Sequence, residues 1–174
     1  MTRPPWPLAA TSVVALLLIA APRGRPWLIW NTTASAPIGL YRVDGAARPG
    51  RGDLVAVRPP PALGRWLDAR GFVPLGVPLI KPLAGLAGDM VCRHGDRVSV
   101  NGAPLAQARD RDRQGRPLPR WSGCRRLGVD EVFALNPARE DSLDGRYFGA
   151  LPAANVLGRV RPIWLRGDQP PSQQ

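Results

Sequence analysis

The 174 residues suffice for one compact domain with a hydrophobic core plus an appendage at either end, and 44% hydrophobic residues interspersed with 19 Gly and 21 Pro favour short strands and turns over long helices. The net charge of +11 rests on arginine, because of 24 Lys and Arg residues only Lys81 is lysine; the arginines are scattered, with neither a recognition-helix pattern nor interleaved aromatic platforms, which argues against a nucleic-acid partner. Two cysteines, Cys92 and Cys124, one histidine, His94, and no CxxC spacing cannot make a four-ligand zinc site, so neither a metal nor another cofactor is expected.

Residues 8–21, "LAATSVVALLLIAA", are uncharged and mostly apolar. They are short for a bilayer core, which needs about 20 helical residues, but Trp6, Trp27 and Trp30 flank them as interfacial aromatics. Cleavage after Ala20-Ala21 is disfavoured by Pro22. A retained membrane anchor over 1–26 is therefore expected, although Arg23 and Arg25 outnumber Arg3 and charge alone does not orient it. Residues 27–166 form the expected folded domain, and the polar, Pro-rich 167–174 a disordered tail.

Within the domain, strands are predicted at 39–43, 53–58, 89–93, 97–102 and 131–135, each bounded by Gly, Pro, Asp or Asn. "DMVCRHGDRVSVNGAPL" predicts a hairpin and a second tight turn, placing His94 in an exposed turn. Leu63, Trp66 and Leu67 have the i, i+3, i+4 spacing of a helix that Gly71 stops. The fold class expected is mostly β. Cys92 and Cys124 are either one disulfide or two buried thiols.

Few side chains are available for nucleophilic chemistry. A serine hydroxyl needs a neighbouring base, and His94 on a hairpin tip is a poor one. A lysine serves if its neutral form is accessible, and burial among apolar groups provides that. Lys81 lies in "VPLIKPLAGLAGD" with no acidic residue within seven positions on either side. It is also the one amine in a chain that otherwise uses arginine, which cannot act as a base. Ser35, in "NTTASAPIGLY", sits on a loop that Pro37 stiffens, with Ala36 biased toward extended backbone. Its own N–H and the Thr33 hydroxyl are candidate donors to an oxyanion.

Four stretches in order, "SAPIGLYRV" at 35–43, "RGDLVAV" at 51–57, "LIKPLAGLAGDMV" at 79–91 and "DSLDGRYFG" at 141–149, resemble the conserved boxes of the signal peptidase I family. The "NxTxSxPxGLY" opening, "RGFVPLG", "GCRRLGVDEVF" and "RYFGALPAANVLGRVRPIW" resemble its conjugative-transfer, TraF-type branch, so that the likeness runs from about 27 to 165. The resemblance implies a signal-peptidase/LexA-like β domain on an N-terminal transmembrane helix. It implies Ser35 as nucleophile, Lys81 as general base and Thr33 as an oxyanion donor. Ser142 would orient the lysine, and Asp144 with Arg146 would brace the site.

Three positions depart from the family pattern. Gly145 replaces a serine, which is expected to weaken the bracing and not the chemistry; Ala36 replaces a methionine; Pro82 replaces a basic residue and makes the surroundings of Lys81 more apolar.

The implied activity is that of a serine endopeptidase of the bacterial inner membrane, its catalytic domain on the periplasmic side. That location is compatible with a Cys92–Cys124 disulfide. The implied partners are a lipid bilayer and a membrane-inserted precursor, a conjugative pilin or similar exported protein, matured by hydrolysis or by cyclisation. A self-cleaving repressor with the same dyad is disfavoured by the apolar N-terminus. The alternative from another class is a non-catalytic, membrane-tethered β module of a transfer apparatus.

Overall fold

A computed structural model of the chain describes residues 26–167. The apolar run at 8–21 and the tail from 168 lie outside the described residues, and among those described no helix is long and apolar enough to cross a membrane. In chain order the elements are β1 (Leu28–Asn31), β2 (Gly39–Asp44), β3 (Leu54–Val57), α1 (Pro61–Ala69), β4 (Leu79–Gly85), β5 (Met90–His94), β6 (Arg97–Val100) and β7 (Ala103–Gln107). Then follow β8 (Gly123–Arg126), β9 (Glu131–Ala134), the single-turn α2 (Gly145–Phe148), β10 (Leu151–Pro152) and β11 (Val156–Leu165).

The strands form two antiparallel sheets, one of seven strands in the order β1-β2-β11-β3-β4-β9-β10 and one of four in the order β7-β6-β5-β8. The mostly β expectation holds, and the five predicted strands correspond to β2, β3, β5, β6 and β9. The centre of the larger sheet is buried on both faces. Val55, Ala56 and Val57 of β3 are fully inaccessible, with Tyr41, Ile80 and Val160 packed around Ala56, and Leu83, Val132 and Leu151 around the two valines.

The smaller sheet packs onto β9 through Val91, Val98 and Val100, which enclose Phe133 and Leu135. Helix α1 begins with a proline whose missing N–H would have been unpaired in any case. It buries Leu67 against Val73 and Leu79.

Gly39 marks a close approach. A Cβ there would lie 2.1 Å from the Trp164 carbonyl oxygen, because β11 bulges between Pro162 and Trp164 where it pairs with β2. The glycine of "PIGLY" is thus demanded by strand packing. His94 is exposed as the last residue of β5, facing Arg97 across a turn at Gly95 and Asp96.

Cys92 and Cys124 face each other across the β5–β8 ladder and are joined in a disulfide, with His94 Nε2 3.4 Å from the Cys124 sulfur. The sequence separation of 32 makes the cross-link worth about 3.5 kcal/mol in the chain-entropy account. Urea unfolding of C92S/C124S, or of the wild-type chain under dithiothreitol, should show a loss of that order; unchanged stability would mean that the cross-link does not constrain the unfolded chain.

Candidate active site

Lys81 occupies the third position of β4, paired in register with Val55 of β3, and is 3% exposed. Strand β4 is buried on both faces at Leu79, Ile80 and Lys81, so the amine is enclosed where water would otherwise solvate it. Its Nζ donates to Ser142 Oγ at 2.9 Å, and Ser142 is itself 1% exposed. Desolvation by burial lowers the Lys81 pKa to about 8; Asp144 opposes this, Arg146 adds to it and Asp141 opposes it. Because the side chain is almost wholly inaccessible, solvent screens little of the effect.

Ser35 lies on the turn between β1 and β2, and Asn31 shapes that turn. Its Nδ2 donates to the carbonyls of Thr33, Ala36 and Pro37 at 2.9–3.1 Å, while its Oδ1 accepts from the Thr33 N–H at 3.1 Å and the Thr33 hydroxyl at 3.0 Å. With the Thr33 proton given to Asn31, the 3.2 Å contact between Thr33 Oγ1 and Ser35 Oγ leaves the Ser35 hydroxyl as donor. Tyr41 Oη donates to the Pro37 carbonyl at 2.7 Å and Ala36 is buried beneath, so the loop is held at several points. Asn136 Nδ2 reaches across to the Ser35 carbonyl at 2.7 Å.

The segment that carries Ser142 is tied to a buried ion pair. Arg146 Nε donates to Asp144 Oδ1 at 2.8 Å and its Nη2 to Oδ2 at 3.1 Å, with both side chains almost wholly inaccessible. The remaining guanidinium donors reach the carbonyls of Asn136, Arg139, Glu140 and Gln107 at 2.6–3.3 Å. Asp144 also caps the first turn of α2 by accepting from the Arg146 N–H, and accepts from the Asn136 N–H at 3.0 Å. Arg93, buried in β5, donates to the Arg146 carbonyl at 2.6 Å.

A cavity of about 180 Å³ is lined by Thr33, Ser35, Leu79, Lys81, Asp141 and Leu143 among others. The structure therefore brings Ser35, Lys81 and Thr33 to one space, with Ser142 behind the lysine and the Asp144–Arg146 pair behind that.

A model of the signal peptidase, peptidase S26 family matches residues 6–165. The chain belongs to the signal peptidase S26 family. It is 35% identical over 161 residues to the plasmid transfer protein TraF of Escherichia coli, covering 86% of this chain and 89% of that one. It is 38% identical over 143 residues to the probable conjugal transfer protein TraF of Sinorhizobium fredii, covering 76% and 74%. A signal peptidase I of Leptolyngbya laminosa is 32% identical over 112 residues, covering 64% and 51%. Among solved structures, a signal peptidase I of Enterococcus faecalis is similar over 65% of this chain and 97% of that one, at 23% identity and a TM-score of 0.40.

Within this S26 chain, several structural partners were absent from the sequence reading: Asn31, Asn136 and Arg93. Asn31 stands in the quoted "NxTxSxPxGLY" opening, which offered a local signal; Asn136 and Arg93 act across more than fifty residues and offered none. The Gly145 departure has a packing cause. A Cβ at this position would meet Phe133 Cε2 at 2.7 Å and the Ala134 carbonyl oxygen at 2.9 Å, while Trp121 Nε1 donates to the Gly145 carbonyl at 3.0 Å. The bracing around it is dense all the same.

Gly145→Ser should therefore destabilise the protein by about 1–3 kcal/mol through overpacking. Adding Phe133→Leu should recover part of the loss in a double-mutant cycle; strict additivity of the two would show that they do not share this space.

Proposed function

We propose that the protein is a membrane-anchored Ser-Lys endopeptidase that cleaves exported precursors, with a conjugative pilin as the substrate class. The observation that supports it is a lone lysine, desolvated toward neutrality, opening onto the same cavity as a serine hydroxyl. Neutral Lys81 takes the Ser35 proton as Ser35 Oγ attacks the scissile carbonyl. The hydroxyl leaves its Thr33 partner in doing so, and the Thr33 hydroxyl, turning its proton away from Asn31 Oδ1, serves the developing oxyanion together with the Ser35 N–H. Lys81 returns the proton to the departing amine. Water then opens the acyl-enzyme, or an amine does so if the product is cyclised. Ser142 holds the amine in place throughout.

The membrane part of the reading draws on family membership and on surface chemistry. Trp27, Trp30, Ile163 and Trp164 are exposed on β1 and β11 or just before them, with the rings of Trp30 and Trp164 stacked at 5.4 Å. Indoles at the point where the apolar run 8–21 joins the domain suit the headgroup layer. The catalytic domain would work on the periplasmic face of the inner membrane, where a disulfide persists.

Processing of pilin precursors by the full-length protein tests the proposal. S35A and K81R should each lower the rate by about a thousandfold or more, whereas a non-catalytic module would keep its function in both.

The pH profile tests the base. The reactive form is the neutral amine, so kcat/KM should rise with pH and level off above about 8. Asp141 raises the Lys81 pKa, so D141N should move this limb to lower pH. A limb displaced upward in D141N would contradict the assignment.

A further inference from the structure

The segment between β7 and β8, together with the end of α1, encloses a second cavity of about 270 Å³. Arg70, Arg109, Arg111, Arg113 and Arg116 line it against two carboxylates, Asp112 and Asp141. Three of the arginines are paired: Arg116 with Asp112 at 2.6 Å, Arg109 with Glu140 at 3.1 Å, and Arg113 with Asp141. Among the described residues neither Arg70 nor Arg111 has a carboxylate within ion-pair distance. Arg70 Nη1 donates to the Pro117 carbonyl at 2.8 Å with its guanidinium over Trp66, and Arg111 Nη1 donates to the Gly115 carbonyl at 2.6 Å. One such bond occupies one of a guanidinium's five donors.

This cavity adjoins the one that holds Ser35 and Lys81, since Phe72, Asp141 and Leu143 line both. A group in the first therefore lies within a side chain's thickness of the second. The exposed indoles, by contrast, lie on or beside β1 and β11, which contribute no residue to either wall.

We propose that the arginine-lined cavity is a subsite for a carboxylate of the precursor, carried by an Asp or Glu side chain near the scissile bond or by the precursor's C-terminus. The inference rests on the peptidase reading for the meaning of the adjoining cavity. Guanidinium forks match carboxylates in shape as well as charge, and a pair already held by carbonyls loses little freedom on binding.

The test uses full-length S35A in detergent micelles, which binds without turnover, and fluorescence anisotropy with short fluorescein-labelled, alanine-rich peptides. The peptides are amidated and identical except for a Glu, Gln or Lys pair; a further Gln peptide carries a free C-terminal carboxylate. The Glu peptide, the free-carboxylate peptide or both should bind about fivefold tighter than the amidated Gln peptide, as expected of partly exposed ion pairs. Which of the two gains identifies the source of the carboxylate.

The preference should fade in high salt and vanish in R70Q/R111Q. It should turn toward the Lys peptide in R111E/R113E, a reversal that misfolding cannot produce. Equal binding of all peptides to S35A overturns the proposal. So does a loss of binding to phosphatidylglycerol vesicles in R70Q/R111Q with the peptide ranking unchanged, which would make the surface a lipid site. Because the ranking is read without catalysis, an inactive dyad would leave it intact, and the two proposals fail separately.

Discussion

The site depends on one buried guanidinium. Arg146 is removed from water together with Asp144, and such a burial is tolerable only when every donor finds an acceptor. Here the carboxylate takes two bonds, and carbonyls from the segment 136–140 and from the end of β7 take the rest. The cation thereby fixes a segment that has little regular structure of its own. From that segment comes the amide that holds the Ser35 carbonyl, and two residues beyond it stands the hydroxyl that receives the Lys81 amine. Strand β4 and the loop after β1, far apart in sequence, are linked at the cavity by what Arg146 organises.

Lys81 shows the cost of such an arrangement. An ammonium that titrates near 8 in the folded chain and near 10.5 when unfolded destabilises the native state at neutral pH by about 3 kcal/mol. Between those two values the unfolded chain binds more protons, so this part of the stability is recovered as pH rises. The environment is also tuned and not merely apolar, because Asp144 pulls the amine back toward charge while Arg146 opposes it. The same ion pair that anchors the loop thus moderates the amine.

What the sequence made legible was local. Strands β2, β3, β5, β6 and β9 are short apolar stretches bounded by turn residues, and α1 carries its spacing and its stop. Ser35 and Lys81 could be singled out because their signals, a proline two residues on and an apolar run around a lone amine, lie within a few positions. Strand β4 escaped because burial on both faces removes the alternation that reveals a half-buried strand, and Pro82 reads as a breaker. Strand β1 read as part of a membrane-flanking stretch, and the long β11 was masked by Pro162 and its bulge. The fully exposed β8 has no apolar face to show. Asn136 and Arg93 act over separations at which a single sequence carries no sign of contact, and the reason for Gly145, in α2, lies in Phe133 on β9.

The disulfide divides these groups in a way that their positions in space do not suggest. The covalent loop from Cys92 to Cys124 contains every arginine of the basic rim except Arg70, whereas Ser35, Lys81, Ser142, Asp144 and Arg146 all lie outside it. Inside the loop, the stretch after β7 is tied back to the rest of the domain by the Ala108 to Asp96 and Arg109 to Tyr147 hydrogen bonds, by bonds that Arg70 and Arg116 make to each other's segments, and by the ion pairs of Arg109 with Glu140 and Arg113 with Asp141. The same loop also carries Arg93 and Trp121, which donate to the carbonyls of Arg146 and Gly145, so it touches the ion-pair segment as well as the rim. A reducing compartment would therefore release one constraint among several, on the rim and on the two side chains that brace α2 alike.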